Sequence, residues 1–208
     1  MYLSDIHTHS IASGHGTSCT ISDMAKAASK KGLKLLGITD HGPGTLAAGT
    51  SSYFRSLTYA PKKRFGIELL FGAELNILDT EGHLDLNDEL LSELDYAIAS
   101  MHAQNYKSGT VEENTSAYLN AMRHPCVKVL GHCDNPAFPV DYETLAFGAR
   151  EYGVIFEINE ASLMPDGYRG DTKENNREIL KYCMKYEIPI VLWSRTYRGF
   201  YLWGRVCT

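Results

Sequence analysis

Residues 31–44 read KGLKLLGITDHGPG. Between a glycine and a Gly/Pro-rich turn lies a short apolar run, residues 33–39, with the length and flanking turn signals of a buried β-strand. Ahead of it, residues 22–31 have the pattern of a helix, and Gly32 is the stop signal expected just past its end. Immediately after the strand stands His41, a side chain able to ligate a metal or move a proton. Helix, strand and chemically able loop recur along most of the chain.

Working outward, further strands are expected at 2–6, 69–77, 96–100, 127–131, 154–158 and 188–192. Helices are expected at 88–94, 111–123, 142–152 and 172–186, with Pro125 and Gly153 closing two of them. Residues 42–64 suggest loop with a short helix. Alternation of this kind builds a parallel sheet or barrel. Thr172 with Asn175 gives only half a capping box for the 172–186 helix.

The 208 residues and 44% hydrophobic content suit one compact domain, which we place at residues 1–192 with a distinct tail at 193–208. A net charge of -5 and the lack of a basic cluster beyond Lys62-Lys63-Arg64 argue against nucleic acid as a partner. No apolar run approaches the roughly twenty residues of a membrane span, and the first residues do not resemble a signal peptide. A cytoplasmic location is expected. Five scattered cysteines without a C-x-x-C pair read as free thiols.

Six of the eight histidines fall at or just past strand ends: His7 and His9 in DIHTHS, His15 in SGHGTS, His41 in GITDHGPG, His102 in SMHAQ and His132 in LGHCDNP. Glu74 lies on the 69–77 strand, in GAELN. In a barrel of parallel strands such positions converge on one face, and His-x-His on extended backbone puts both rings on one side. Imidazole with a bridging carboxylate suits zinc, manganese or iron. Alone, His102 or His132 would read as a structural histidine; jointly, the strand ends point to a shared metal site. His83 and His124 are not at strand ends and read as surface or turn residues. Asp5, Asp40 and Asn159 adjoin the site and serve either to orient ligands or to stabilise turns.

The motifs DIHTHS, GITDHGP, GAELNI, SMHAQ, LGHCDNP and FEINEAS, in that order, resemble the PHP (polymerase and histidinol phosphatase) family, most closely its stand-alone YcdX-type phosphatases. The resemblance runs from residue 1 to about residue 192. It implies a distorted TIM-like (βα)7 barrel with up to three divalent metals, zinc or manganese, hydrolysing a small phosphate monoester with a hydroxide from metal-activated water. By the same resemblance His7 and His9 hold one metal, Glu74 bridges it to a second held by His102 and His132, and His15 and His41 hold the third. Arg177 matches a basic position that would help bind phosphate, although a solvent-exposed helix arginine is the simpler reading.

The family pattern closes with Asp-x-His after the last strand. Here that place reads Trp193-Ser-Arg-Thr-Tyr197, without either ligand, so the last strand-helix portion of the barrel is expected to be incomplete. A permitted codon choice for residues 195–204, read one base later, gives Ala-His-Ile-Glu-Asp-Phe-Ile-Cys-Gly. Residues 193–208 are therefore expected to be a frameshifted tail; a genuine divergent tail is the alternative. Alternatives for function are a metal-binding protein with little activity, a histidinol phosphatase, and a PHP-type exonuclease module.

Overall fold

The computed structural model describes residues 3–164, 167 and 169–193. Its elements are β1 (Ser4–Asp5), a 3-10 turn (Ile11–Ser13), α1 (Ile21–Lys30), β2 (Leu35–Ile38), α2 (Ser51–Thr58), β3 (Lys63–Arg64) and β4 (Ile67–Asn76). They continue with α3 (Asp88–Glu93), β5 (Tyr96–Ser100), α4 (Val111–Met122), β6 (Val127–Leu130) and α5 (Tyr142–Tyr152), then β7 (Ile155–Asn159), a second 3-10 turn (Glu160–Leu163), α6 (Lys173–Tyr186) and β8 (Ile190–Trp193). Seven strands run parallel in the order β1-β2-β4-β5-β6-β7-β8, forming a nearly closed, distorted barrel; β3 pairs antiparallel with β4.

The helices start where the chain can satisfy its own free N–H groups. Capping boxes join Thr20 to Asp23 and Thr110 to Glu113, and Asp141 accepts from the N–H groups of Glu143 and Thr144. Gly153, at φ 67°, ends α5 in the left-handed conformation that glycine tolerates. Thr172 does not cap α6 with its side chain. Its hydroxyl donates instead to Ser162 O at 2.7 Å, tying the helix start to the turn after β7.

Period two along β4 separates two packing regions. Ile67, Leu69, Phe71, Ala73 and Leu75 face the helices and join the main core. Leu70 faces the barrel interior, where it meets a second cluster of Tyr96, Ile98 and Val129 with Ile6, Ile155 and Val191. Side chains from strands all around the ring thus fill one end of the barrel, as in a packed TIM-type interior. Tyr96 crosses this space to donate its hydroxyl to Ile6 O. Gly37 lets it pass, because a Cβ there would lie 2.1 Å from the tyrosine oxygen. Glu74, two turns of the alternation beyond Leu70, faces the open end.

The strand expected at 69–77 is longer at its start, and the hairpin strand β3 lies inside the stretch taken as loop with a short helix; α2 supplies that helix. Cys126, Cys133 and Cys183 are free and buried, whereas Cys19 is disulfide-bonded, against the expectation for that residue. No described helix is long and apolar enough to cross a membrane.

Candidate metal centre

Glu74 is the hub of the open end. It is 1% exposed, on the last turn of alternation in β4, and its two oxygens face different histidine groups. Oε2 lies 3.2 Å from His7 Nε2, 3.4 Å from His9 Nε2 and 3.0 Å from His41 Nδ1. Oε1 lies 3.0 Å from His132 Nε2 and 3.4 Å from His102 Nε2, and accepts from Ser100 Oγ at 2.9 Å. His15 joins through its Nε2, 2.7 Å from His41 Nε2. The structure therefore brings together all seven residues singled out as a ligand set.

Three subsets have donor atoms close enough to share one ion: His9 with His15 and His41; His7 with His9 and Glu74; and His41 with Glu74 and His102. The rings pack edge-on, tilted or stacked with centroids 4.7 to 5.0 Å apart. A separate group, Asp79, Glu81 and His83, is largely exposed and internally bonded, with His83 Nδ1 2.7 Å from Asp79 Oδ2.

The charge pattern follows from this crowding. Burial pushes the Glu74 carboxyl up, but His41, His7, His102 and His132 overcome it and hold the group well below the usual carboxylate range. Burial and then the neighbouring His41 bring His15 down to about 4. Burial and then Arg169 bring His132 down to about 4. Burial also drives His9 well below the ordinary imidazole value, against the pull of Glu74. His7 is the exception: burial opposes its proton, yet Glu157 and Glu74 on either side raise it well above the ordinary value.

Glu157 is the carboxylate that sequence reasoning missed. Fully buried on β7, it sets Oε1 2.5 Å from His7 Nδ1, and its Oε2 accepts from His132 N at 2.9 Å. It thereby fixes the ring that points Nε2 at Glu74 and also the backbone of His132, whose φ of 33° lies in the left-handed region. His102 is oriented in the same way, Nδ1 lying 2.7 Å from Asn76 Oδ1, and His9 by Ser13 Oγ at 2.8 Å.

Asp5 and Asp40 stabilise turns. Asp5 Oδ1 accepts from His7 N at 3.3 Å, while Asp40 gathers Ser10 N and Oγ and the Tyr53 hydroxyl, fixing the loop after β1 against the loop after β2. Asn159 accepts from Ala161 N and donates to Glu157, so it serves both the turn and the carboxylate. Arg177 does not reach the cavity: it sits exposed on α6, paired with Glu174 one turn away. The arginine that lines the cavity is Arg169, which donates to Ser162 Oγ at 2.9 Å. Of residues 193–208, only Trp193 is among those described, so the expectation of a frameshifted tail lies otherwise outside them.

The histidine cluster forms the floor of a cavity of about 720 Å³. Such a volume holds a small organic molecule as well as a phosphoryl group.

Comparison with known proteins gives a consistent set of likenesses. The model of the PHP domain matches residues 5–163. A protein of Clostridium novyi named a probable phosphatase is 40% identical over 199 residues, covering 96% of this chain and 80% of its own length. One of Thermoanaerobacter sp. strain X514, also named a probable phosphatase, is 41% identical over 197 residues, 94% of this chain and 79% of that relative. Among solved structures, a candidate histidinol phosphatase from Listeria monocytogenes superposes with a TM-score of 0.61 at 18% identity, covering 92% of this chain and 94% of that one. A histidinol phosphate phosphatase from Lactococcus lactis, solved with zinc, L-histidinol and phosphate, gives 0.55 at 18% identity over 92% and 84% of the two chains. At that identity the two structures speak for the fold.

Proposed function

Because the chain belongs to the PHP domain family, we propose that it hydrolyses a small phosphate monoester at a metal centre held by His7, His9, His15, His41, Glu74, His102 and His132. The observation that carries this reading is the convergence of six imidazoles on one buried carboxylate. The donor set fits zinc or manganese, and His9, His15 and His132 are held in the neutral form that offers a lone pair. Nδ1 of His41, buried and in charge contact with Glu74 Oε2 without a hydrogen bond, is a donor that a cation would satisfy. Divalent cations bound there, up to three, would neutralise phosphoryl oxygens and acidify a water for in-line attack.

The chain's own residues supply the rest. Glu157, Asn76 and Ser13 hold the rings of His7, His102 and His9 in place, so the donors are aimed before substrate arrives. Arg169, rather than Arg177, is the guanidinium that would hold a phosphoryl oxygen from the cavity wall. The cavity floor is buried, which limits water to the site and strengthens each charge interaction. We assign this role to a domain spanning residues 1–192 and place the reaction in the cytoplasm.

A second reading rests on residues 193–208, which contain no acid and no histidine to complete the family's closing Asp-x-His. On that reading the chain binds metal but turns over slowly. Metal analysis of the purified protein together with hydrolysis of an aryl phosphate tests both. We expect fewer than three tightly held metals and slow, metal-dependent hydrolysis that Glu74→Gln abolishes. Three metals with brisk turnover would overturn the second reading, and no metal-dependent hydrolysis of aryl phosphate, histidinol phosphate or other small monoesters would overturn the first. Release of nucleotides from DNA ends would point to an exonuclease instead.

A further inference from the structure

One layer behind the histidine cluster, a short reverse turn of the chain sets a carboxylate against the residue that orients His102. Ile77 and Leu84 pair antiparallel and Leu78 N donates to His83 O, which brings Asp85 back alongside Asn76. Asp85 Oδ1 accepts from Asn76 N at 2.9 Å, and its Oδ2 accepts from Asn76 Nδ2 at 2.6 Å. The Asn76 side chain is fully buried, and its amide uses both N–H groups and both lone pairs. Its second N–H faces Thr45 Oγ1 at 3.2 Å, while Oδ1 accepts from Asn105 Nδ2 at 2.9 Å and lies 2.7 Å from His102 Nδ1. Asp85 Oδ2 also accepts from Gly44 N at 2.9 Å, in the loop that follows His41, and a Cβ on Gly42 would collide with the same carboxylate.

Each link in this chain sets the direction of the next. A carboxylate only accepts, so the Asn76 amide must turn its NH2 toward Asp85; the flipped amide would press two oxygens together and leave buried groups unpaired. The amide oxygen that then faces His102 also only accepts, so Nδ1 carries the proton and the lone pair of the neutral ring falls on Nε2. Nε2 stands 3.4 Å from Glu74 Oε1, an acceptor facing an acceptor, which is an arrangement that a cation would join. We propose that Asp85 is a positioning residue: through Asn76 it fixes the tautomer of His102, and through Gly44 it ties the loop of His41 to the same support. The inference rests on the proposed metal centre, because a lone pair fixed on Nε2 serves a ligand.

Nitrogen NMR of the histidine rings in the chelator-treated full chain, at a pH above the ordinary imidazole range, reads the tautomer without metal or turnover. His102 is expected to carry its proton on Nδ1, its signals being those that His102→Gln removes. In Asp85→Ala the amide is free to turn, so the form protonated on Nε2 is expected to appear, and zinc affinity by chelator competition to fall about tenfold or more. Asp85→Asn combined with Asn76→Asp exchanges amide and carboxylate and keeps an acceptor against Nδ1. This pair is expected to restore the Nδ1 proton, which a role confined to bracing the backbone would not do. If Asp85→Ala does not fold, the parent spectrum and the paired exchange carry the test. A parent ring without a proton on Nδ1, a folded Asp85→Ala with tautomer and zinc affinity unchanged, or a paired exchange that restores nothing would overturn the proposal and leave the metal centre standing. A parent that shows the Nδ1 proton but binds no zinc would overturn the metal reading, and with it the purpose assigned to Asp85.

Discussion

Glu157 bonds to the His7 ring with one oxygen and to the His132 backbone with the other, so a single carboxylate braces two sides of the histidine cluster. Glu157→Gln keeps the size and some hydrogen bonding but removes the charge that polarises His7. Zinc affinity, measured by chelator competition, is expected to fall about 10- to 100-fold, the usual cost of losing a ligand's orienting partner; unchanged affinity in a folded variant would contradict that role. The clustering of the histidines was legible because His-x-His and strand-end positions repeat a visible pattern. Glu157 was not, since an acid between Phe156 and Ile158 acquires its partners only when the barrel curves β7 toward residues arriving from β1 and β6. The two arginines show the same limit. Arg177 matches a basic position of the family by resemblance, but the helix presents it to Glu174, whereas Arg169 reaches the cavity from an irregular segment whose path no periodicity encodes.

At the scale of elements, the helix starts make direct claims about stability. Thr110→Ala removes the side-chain half of a capping box and should cost about 1 kcal/mol, read from urea unfolding. Asp141 gives a pH test: hydrogen bonds from Thr144 and then Glu143 hold its carboxyl below the ordinary value of 3.8. A depressed carboxyl contributes stability that is present above the ordinary value and lost as pH falls through the folded one. Asp141→Asn retains a capping side chain but cannot titrate, so the fall in thermal midpoint below about pH 3.8 should be shallower than in the parent; parallel profiles would count against the linkage. Helix ends at Gly32 and Gly153 were readable from glycine's tolerance of positive φ. β3 was not: its turn uses Phe65 and Gly66 at φ 50° and 80°, and phenylalanine hides a turn usually announced by Asn-Gly or Asp-Gly.

For the whole molecule, the metal centre and the fold should be thermodynamically linked. The proposed ligands come from segments following β1, β2, β5 and β6 together with β4 itself, so an ion bound by the native arrangement would stabilise the ring of strands as a unit. Free zinc at about 100 times its dissociation constant should add about 2.7 kcal/mol to stability. The check is the thermal midpoint of chelator-treated protein with and without added zinc, and a midpoint indifferent to zinc would refute the linkage. The overall architecture was legible because apolar strands and capped helices alternate in sequence. How the barrel interior closes was less so, because Tyr96, Gly37 and Ile6 come together from three separate stretches.

The parallel strands lie side by side in the order in which they occur along the chain, with only the small β3 departing from the path. During synthesis each new strand can therefore dock against one already made, a favourable route for a chain emerging from the ribosome. The metal centre inherits this schedule. His7, His9, His15, His41 and Glu74 emerge first, His102 and His132 later, and the Glu157 brace only with β7. A nascent chain stopped before residue 155 would carry all seven proposed ligands but lack the carboxylate that holds His7 and His132 in place, so the oriented cluster forms only once β7 has docked.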